Sequence, residues 1–179
     1  MIAPTCTFRA AKESDAACIG TLGIQVFLDT YATDGIRPSL VREVNGQFSP
    51  EAMLALMAQA DTRIVLAERA AHLIGFAQWE LHSPQPLLHG VDAAASAKLN
   101  RLYVQERFTG TGVGKALLAE AEAGAAREGA TALWLTAWVG NARALAFYPR
   151  CGYRDIGATL YEFENEKHEN RVFAKPLTA

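Results

Sequence analysis

Arg101-Leu-Tyr-Val-Gln-Glu-Arg-Phe-Thr-Gly-Thr-Gly-Val-Gly-Lys-Ala-Leu-Leu118 decides the fold. The stretch begins as a short apolar strand, passes through a glycine-rich turn and goes on as a helix opening near Val113. Gly110, Gly112 and Gly114 alternate across the turn, and residues without a Cβ let the backbone take unusual dihedrals and come close to a ligand. The first turn of the helix adds unpaired N–H groups and the positive end of its macrodipole, so the whole suits a phosphate or pyrophosphate. Two better-known phosphate loops do not fit. A P-loop ends in Gly-Lys-Ser/Thr, and here Ala116 follows Lys115 where a magnesium-binding hydroxyl should stand. A dinucleotide fingerprint belongs to the first strand of a long βαβ array, whereas this loop lies past the middle of a 179-residue chain. A plain tight connection requires fewer glycines than these.

The second half of the constellation is Ala132-Leu-Trp-Leu-Thr-Ala-Trp-Val-Gly-Asn-Ala-Arg-Ala-Leu-Ala-Phe-Tyr-Pro-Arg-Cys-Gly-Tyr153. A strand ending in Asn141, followed by Ala144, Phe147, Tyr148, Gly152 and Tyr153, resembles the N-x-x-A-x-x-F-Y-x-x-x-G-F signature of the GNAT superfamily of N-acetyltransferases. The glycine turn resembles the Q/R-x-x-G-x-G/A pyrophosphate loop of the same superfamily. The resemblance covers residues 98–177 well and the first half in outline. It implies a mixed α/β fold whose mostly antiparallel central sheet is splayed at the coenzyme site and flanked by helices. It also implies one acetyltransferase domain over residues 1–179 and acetyl-CoA as the acetyl donor. Within the superfamily, Phe27-Leu-Asp-Thr-Tyr31, Arg101-Leu-Tyr-Val104, Leu133-Trp-Leu-Thr-Ala-Trp138 and Arg171-Val-Phe-Ala-Lys-Pro-Leu177 look like bacterial spermidine/spermine acetyltransferases. Because sites are grafted onto folds, this likeness bears less on the acceptor than on the donor.

The chemistry so implied is direct attack of an amine on a thioester, which asks the protein to hold the donor, orient a neutral amine and protonate the leaving thiolate. By resemblance, the backbone of Leu102, Tyr103 and Val104 pairs with the pantetheine arm like an added strand, with the Val104 amide facing the thioester oxygen. The turn of Thr109, Gly110, Thr111, Gly112, Val113 and Gly114 takes the pyrophosphate, and Lys115 adds charge. Ala144 and Phe147 belong to the same motif. Asn141 either hydrogen-bonds the pantetheine arm or caps the helix that follows it. Tyr148 matches the tyrosine that protonates the coenzyme thiolate in the family, against the alternative of an aromatic packing pair with Phe147.

Three positions depart from the pattern. Thr109 stands where Gln or Arg is usual, which loses a side-chain contact to phosphate. Pro149 disfavours a helical Tyr148 and removes an N–H. Asn100 stands where relatives often carry a glutamate base, and an amide cannot take a proton. Glu80 is then the leading candidate base, with Asp29 second. Cys151 reads as a small packing residue, since no histidine partner is evident. His72, His82, His89 and His168 match no ligand spacing, so no metal is expected.

The expected acceptor is a primary amine of a small molecule, with a polyamine leading because Asp29, Asp34 and Glu80 can meet a cation and Tyr31 belongs to the polyamine-like stretch. An aminoglycoside or amino acid, a protein N-terminus or lysine, and a non-catalytic acyl-CoA-binding module remain open. Half of the residues are hydrophobic and the formal charge is −2, which suits a globular domain and argues against a nucleic-acid or anionic-membrane binder. No apolar run has membrane-spanning length. The first residues show no cationic segment followed by an apolar one, and three cysteines without paired spacing suit a reducing compartment, so a cytoplasmic location is expected. A homodimer is possible by resemblance.

In chain order, residues 5–9 read as a strand. Ser14 or Asp15 opens a helix reaching about Thr30, a second helix covers residues 39–45 and a third residues 50–59, with Ser49 and Pro50 as its start. Residues 63–68 and 73–81 form a hairpin around residues 69–72. Residues 82–97, rich in proline and small residues, make a long loop expected to be mobile. A helix over residues 113–127 is stopped by Gly129, and residues 157–164 and 171–175 close the chain as an antiparallel pair.

Overall fold

The computed structural model describes residues 6–163 and 166–178. In chain order it contains β1 (Cys6–Ala10), α1 (Ala16–Tyr31), α2 (Pro38–Phe48), α3 (Pro50–Met57), β2 (Thr62–Arg69) and β3 (His72–Glu80). Then follow β4 (Ser96–Val104), α4 (Val113–Arg127), β5 (Ala132–Trp138), α5 (Ala142–Arg150), β6 (Arg154–Phe163) and β7 (Glu166–Pro176). The strands form one seven-stranded sheet in the order β1-β2-β3-β4-β5-β7-β6. β1 with β2, β5 with β7 and β6 with β7 are antiparallel, while β4 and β5 run parallel from Ser96↔Ala132 to Lys98↔Trp134. This is the mixed, mostly antiparallel α/β architecture expected from the sequence.

The chain packs as two compact units, one of residues up to Gln78 with Arg101–Ala121, the other of Trp79–Asn100 with the chain from Glu122 onward. The core of the first unit gathers Ile19 and Leu22 of α1, Val44 and Phe48 of α2, Met53 of α3, Ile64 and Leu66 of β2 and Phe76 of β3. Leu40, Val44 and Phe48 recur every fourth residue, and all are buried, which carries α2 three residues past its expected end at 45. α1 approaches Phe48 so closely that a Cβ on Gly20 would lie 2.2 Å from the Phe48 carbonyl oxygen.

Several starts and stops differ from the sequence reading. Asp15 does not cap α1. Its carboxylate accepts from the Lys12 amide at 2.8 Å and from Arg9 at 2.7 and 2.9 Å, closing a 3₁₀ turn ahead of the helix. Ser49 does cap α3, accepting from the Ala52 amide at 3.1 Å, but that helix ends at Met57 rather than residue 59. α4 has the expected bounds, and beyond it Gly129 and Ala130 donate back to Ala126 and Ala125 at 3.0 Å, a Schellman end. The closing pair is longer than expected at both strands. β7 begins at Glu166, so residues 166–170, read as a polar turn, are ladder, and of the expected strands only residue 164 lies outside the described residues.

The loop expected to be mobile is fastened. Ser83 and Ser96 exchange bonds of 3.0 and 2.7 Å, the Trp134 indole donates to the Ser83 carbonyl at 2.7 Å, and Leu87 and Leu88 pack against Trp134, Val172 and Ala174. Its small residues fit between neighbours, which composition alone could not reveal. Among the described residues no helix is long and apolar enough to cross a membrane.

The β2–β3 connection turns through Ala70 and Ala71 at φ 51° and 61°. A two-residue turn with both φ positive is type I′, which favours Asn-Gly and strains alanine. Replacing the pair, Ala70→Asn with Ala71→Gly, is expected to stabilise the protein by about 1 kcal/mol, raising Tm by roughly 2–4 °C. Calorimetry reads this, and an unchanged or lower Tm counts against strain at the turn.

Candidate active site

In the first unit, β4 leads through a 3₁₀ turn at Glu106–Phe108 into the glycine loop. The Thr109 and Thr111 hydroxyls donate to the Glu106 and Phe108 carbonyls at 2.8 and 2.6 Å, so both side chains brace the loop from within. Gly110 and Gly112 take φ 74° and 92°, and a Cβ built on either would meet no heavy atom within 4 Å. Open space beside left-handed glycines is what a ligand held by backbone amides needs. Gly114 does not share this conformation; it is the second residue of α4, so two of the three glycines, not all, bend the backbone. Ala116 donates to the Gly112 carbonyl at 3.0 Å as the helical ladder begins, leaving the amides of Val113, Gly114 and Lys115 without intrahelical acceptors. Lys115 itself is exposed.

Leu102, Tyr103 and Val104 form the end of β4. The Tyr103 ring packs at 5.4 Å from Phe76 and 6.2 Å from Phe48, so its side chain belongs to the core and only its backbone is available to a ligand. Burial, with Tyr31 nearby, pushes its hydroxyl well above the usual tyrosine range. Tyr31 itself is exposed at the end of α1, its ring tilted against that of Phe27 at 4.6 Å, and Asp29 is exposed two residues earlier.

The second unit holds the remaining candidates. Asn141 caps α5, its Oδ1 accepting from the Ala144 amide at 3.0 Å, which leaves its Nδ2 to donate elsewhere. Tyr148 is 9% exposed, with its ring 5.2 Å from Phe147, 5.7 Å from Tyr153 and 5.8 Å from Phe173. Pro149 does not displace it. The proline sits one residue before the end of α5, and Gly152 and Tyr153 donate back to Pro149 and Tyr148 at 3.0 and 3.1 Å, so the helix closes normally despite the missing N–H.

Glu80 ends β3 and accepts a long hydrogen bond from Asn100 at 3.4 Å. Lys98 stands beside it, 5.1 Å over the Trp134 ring; burial pushes its ammonium down, and the Glu80 charge opposes that shift. Asn100, an amide where relatives often carry a glutamate base, is the donor of that bond.

Sequence reading missed Arg101 as a side chain. It donates to Gln78 at 2.5 Å and Gln47 at 2.9 Å and lies 5.0 Å over the Phe48 ring. Its signal was available: Gln78 interrupts the apolar run of β3 yet is 2% exposed, and a buried amide demands a partner. Asn100 and Arg101 are adjacent, yet each reaches an even-numbered side chain of β3. Among the described residues no three His, Cys, Asp or Glu gather to hold a metal.

With this geometry in hand, the comparisons with known proteins agree. Residues 33–153 match the Acetyltransferase (GNAT) family, and the chain belongs to that family. It is an acetyl-CoA-dependent N-acetyltransferase. It is similar to an aminoglycoside N(6')-acetyltransferase type 1 of Stenotrophomonas maltophilia, 28% identical over 162 residues, covering 90% of this chain and 94% of that one. Its fold matches the PaiA N-acetyltransferase of Thermoplasma acidophilum, solved with coenzyme A, at TM-score 0.73 and 19% identity, covering 96% and 99% of the two chains. A ribosomal-protein-alanine N-acetyltransferase of Brucella melitensis matches at TM-score 0.70 and 20% identity, over 96% and 99%.

Proposed function

We propose that the protein acetylates a primary amine of a small molecule and that residues 1–179 work as one acetyltransferase domain. The observation that carries the donor half is the pair of left-handed glycines with open space at their Cβ positions, directly ahead of the free amides of α4. Bound there, acetyl-CoA supplies an activated acyl carbon. The chain's part is to hold and steer it: the turn from Thr109 onward takes the pyrophosphate through amides from Gly110 to Lys115, the Thr109 amide donating instead to the Glu106 carbonyl at 3.0 Å, and the backbone of Leu102, Tyr103 and Val104 pairs with the pantetheine arm. The Val104 N–H points at the carbonyl oxygen, where charge develops. Asn141, having spent its oxygen on the cap, donates through Nδ2 to the arm, and Ala144 and Phe147 flank it. Tyr148 gives its proton to the departing thiolate.

Glu80 takes the proton of the attacking amine, held toward it by the Asn100 amide. Glu80→Gln is expected to lower kcat by roughly 10²-fold near neutrality, within the usual range for a general base. The deficit should shrink as pH rises toward the amine's own pKa, since free amine then no longer needs a base. Superimposable pH–rate profiles for the two proteins would remove Glu80 from the mechanism.

For the acceptor, the polyamine reading draws on sequence likeness and on Asp29 and Asp34, both exposed carboxylates on or just past α1. Glu80 supports it less, because Lys98 already faces that carboxylate. An aminoglycoside is the second reading, favoured by the Stenotrophomonas relative. The test is coenzyme A release, followed with a thiol reagent, over polyamines, aminoglycosides, amino acids and lysine peptides. Turnover confined to peptides would sink the small-molecule reading.

A further inference from the structure

Several half-buried cations among the described residues are paired with carboxylates, while Arg69 lies 5.9 Å over the Phe108 ring. Arg9 pairs with Asp15 at 2.7 Å and Glu68 at 2.6 Å, Arg171 with Asp155 at 2.8 Å and Lys175 with Glu122 at 2.7 Å. Lys98 faces Glu80. Arg101 has no carboxylate partner: its hydrogen bonds go to the amide oxygens of Gln47 and Gln78 and to the Tyr103 hydroxyl, all of them neutral. Burial pushes its guanidinium down from its ordinary value, with the Tyr103 hydroxyl alongside as the opposing influence, and no carboxylate contributes. An arginine stays charged all the same. Such a charge, withdrawn from water without an opposite partner, is costly.

The surroundings aim the guanidinium rather than neutralise it. Gln47 donates its own amide to Glu43, which turns its oxygen toward Arg101. Phe48 supports one face of the planar group at 5.0 Å, and Gln78 is fixed by its burial in β3. A guanidinium has five N–H donors in a fixed fork, and Gln47, Gln78 and the Tyr103 hydroxyl engage only part of that fork. A planar anion is the complement of what remains, because a carboxylate accepts two parallel bonds from this group.

We propose that Arg101 is a specificity subsite for a carboxylate borne by the acceptor, so that the substrate is an amine that is also a carboxylic acid. The proposal rests on the reading of the site as a small-molecule N-acetyltransferase and narrows it. The guanidinium stands on the same strand as Val104, three residues away, about 10 Å at the rise of a β-strand. Carboxylate and amine are thus gripped from one strand, the acid by Arg101 and the reacting end beside Val104. A polyamine has no group for Arg101 to bind.

Matched pairs test this: lysine against cadaverine and ornithine against putrescine, with spermidine and kanamycin alongside, read as coenzyme A release. The wild-type protein is expected to favour the carboxylated member of each pair by about 10- to 100-fold in kcat/KM, the scale of hydrogen bonds to a charged group. Arg101→Met should collapse that ratio, chiefly through KM for the carboxylated amine, and Arg101→Lys should restore part of it. The wild-type ratio and Arg101→Lys carry the test if Arg101→Met does not fold. Equal rates on both members, a preference for the decarboxylated one, or an equal loss on both in the variants overturns the subsite and leaves the acetyltransferase reading standing. No turnover on any amine of the panel overturns that reading, and the subsite with it.

Discussion

Gly112→Val is expected to weaken acetyl-CoA binding by about 10²- to 10⁴-fold, the loss of two hydrogen bonds to a charged phosphate. Two effects combine. The residue sits at φ 92°, where a β-branched side chain is strained by about 1–2 kcal/mol, and the new methyl groups enter the space where the pyrophosphate is proposed to lie. The protein itself does not resist the substitution, because a Cβ there meets no heavy atom within 4 Å. Stability should therefore fall modestly while binding falls steeply. Titration calorimetry with acetyl-CoA, beside a melting curve without it, separates the two. Normal affinity in a folded variant would place the pyrophosphate elsewhere.

Tyr148→Phe is expected to lower kcat by roughly 10- to 10³-fold with little change in the KM for acetyl-CoA, the pattern of an interaction needed for the chemical step rather than for binding. The fold should tolerate it, since the ring packs against Phe147, Tyr153 and Phe173 and phenylalanine keeps those contacts. The dependence on pH is a sharper sign. A thiol ordinarily ionises near pH 8.5, so below that value the departing thiolate benefits most from a proton donor, and above it the deficit should narrow. A constant deficit at all pH values points to mispositioning, and unchanged kcat removes Tyr148 as the acid.

Much of the donor half was legible in the sequence because its signals are local. The rhythm of Thr109 to Gly114 encodes a turn, the apolar positions of α4 encode a helix, and Asn141 ahead of Ala142 encodes a cap, each from residues adjacent in the chain. Local rules also explain the misses. Gly114 follows the same alternation as Gly110 and Gly112 yet is helical, because α4 begins one residue before it. Residues 82–97 have the composition of a mobile loop, but composition does not register that Ser83 meets both Ser96 and the Trp134 indole.

The proposed acceptor half depended on pairings across the chain. Glu80 and Asn100, or Arg101 with Gln47 and Gln78, come from segments far apart in sequence, and nothing in either segment names its partner. By itself the sequence determined the family, the donor and the glycine turn ahead of α4, since their signals lie in residues adjacent in the chain. Only the tertiary structure decided which charges are compensated and which are left over. That depends on burial, and whether a carboxylate stands within a few ångströms of a guanidinium is a property of the folded chain alone.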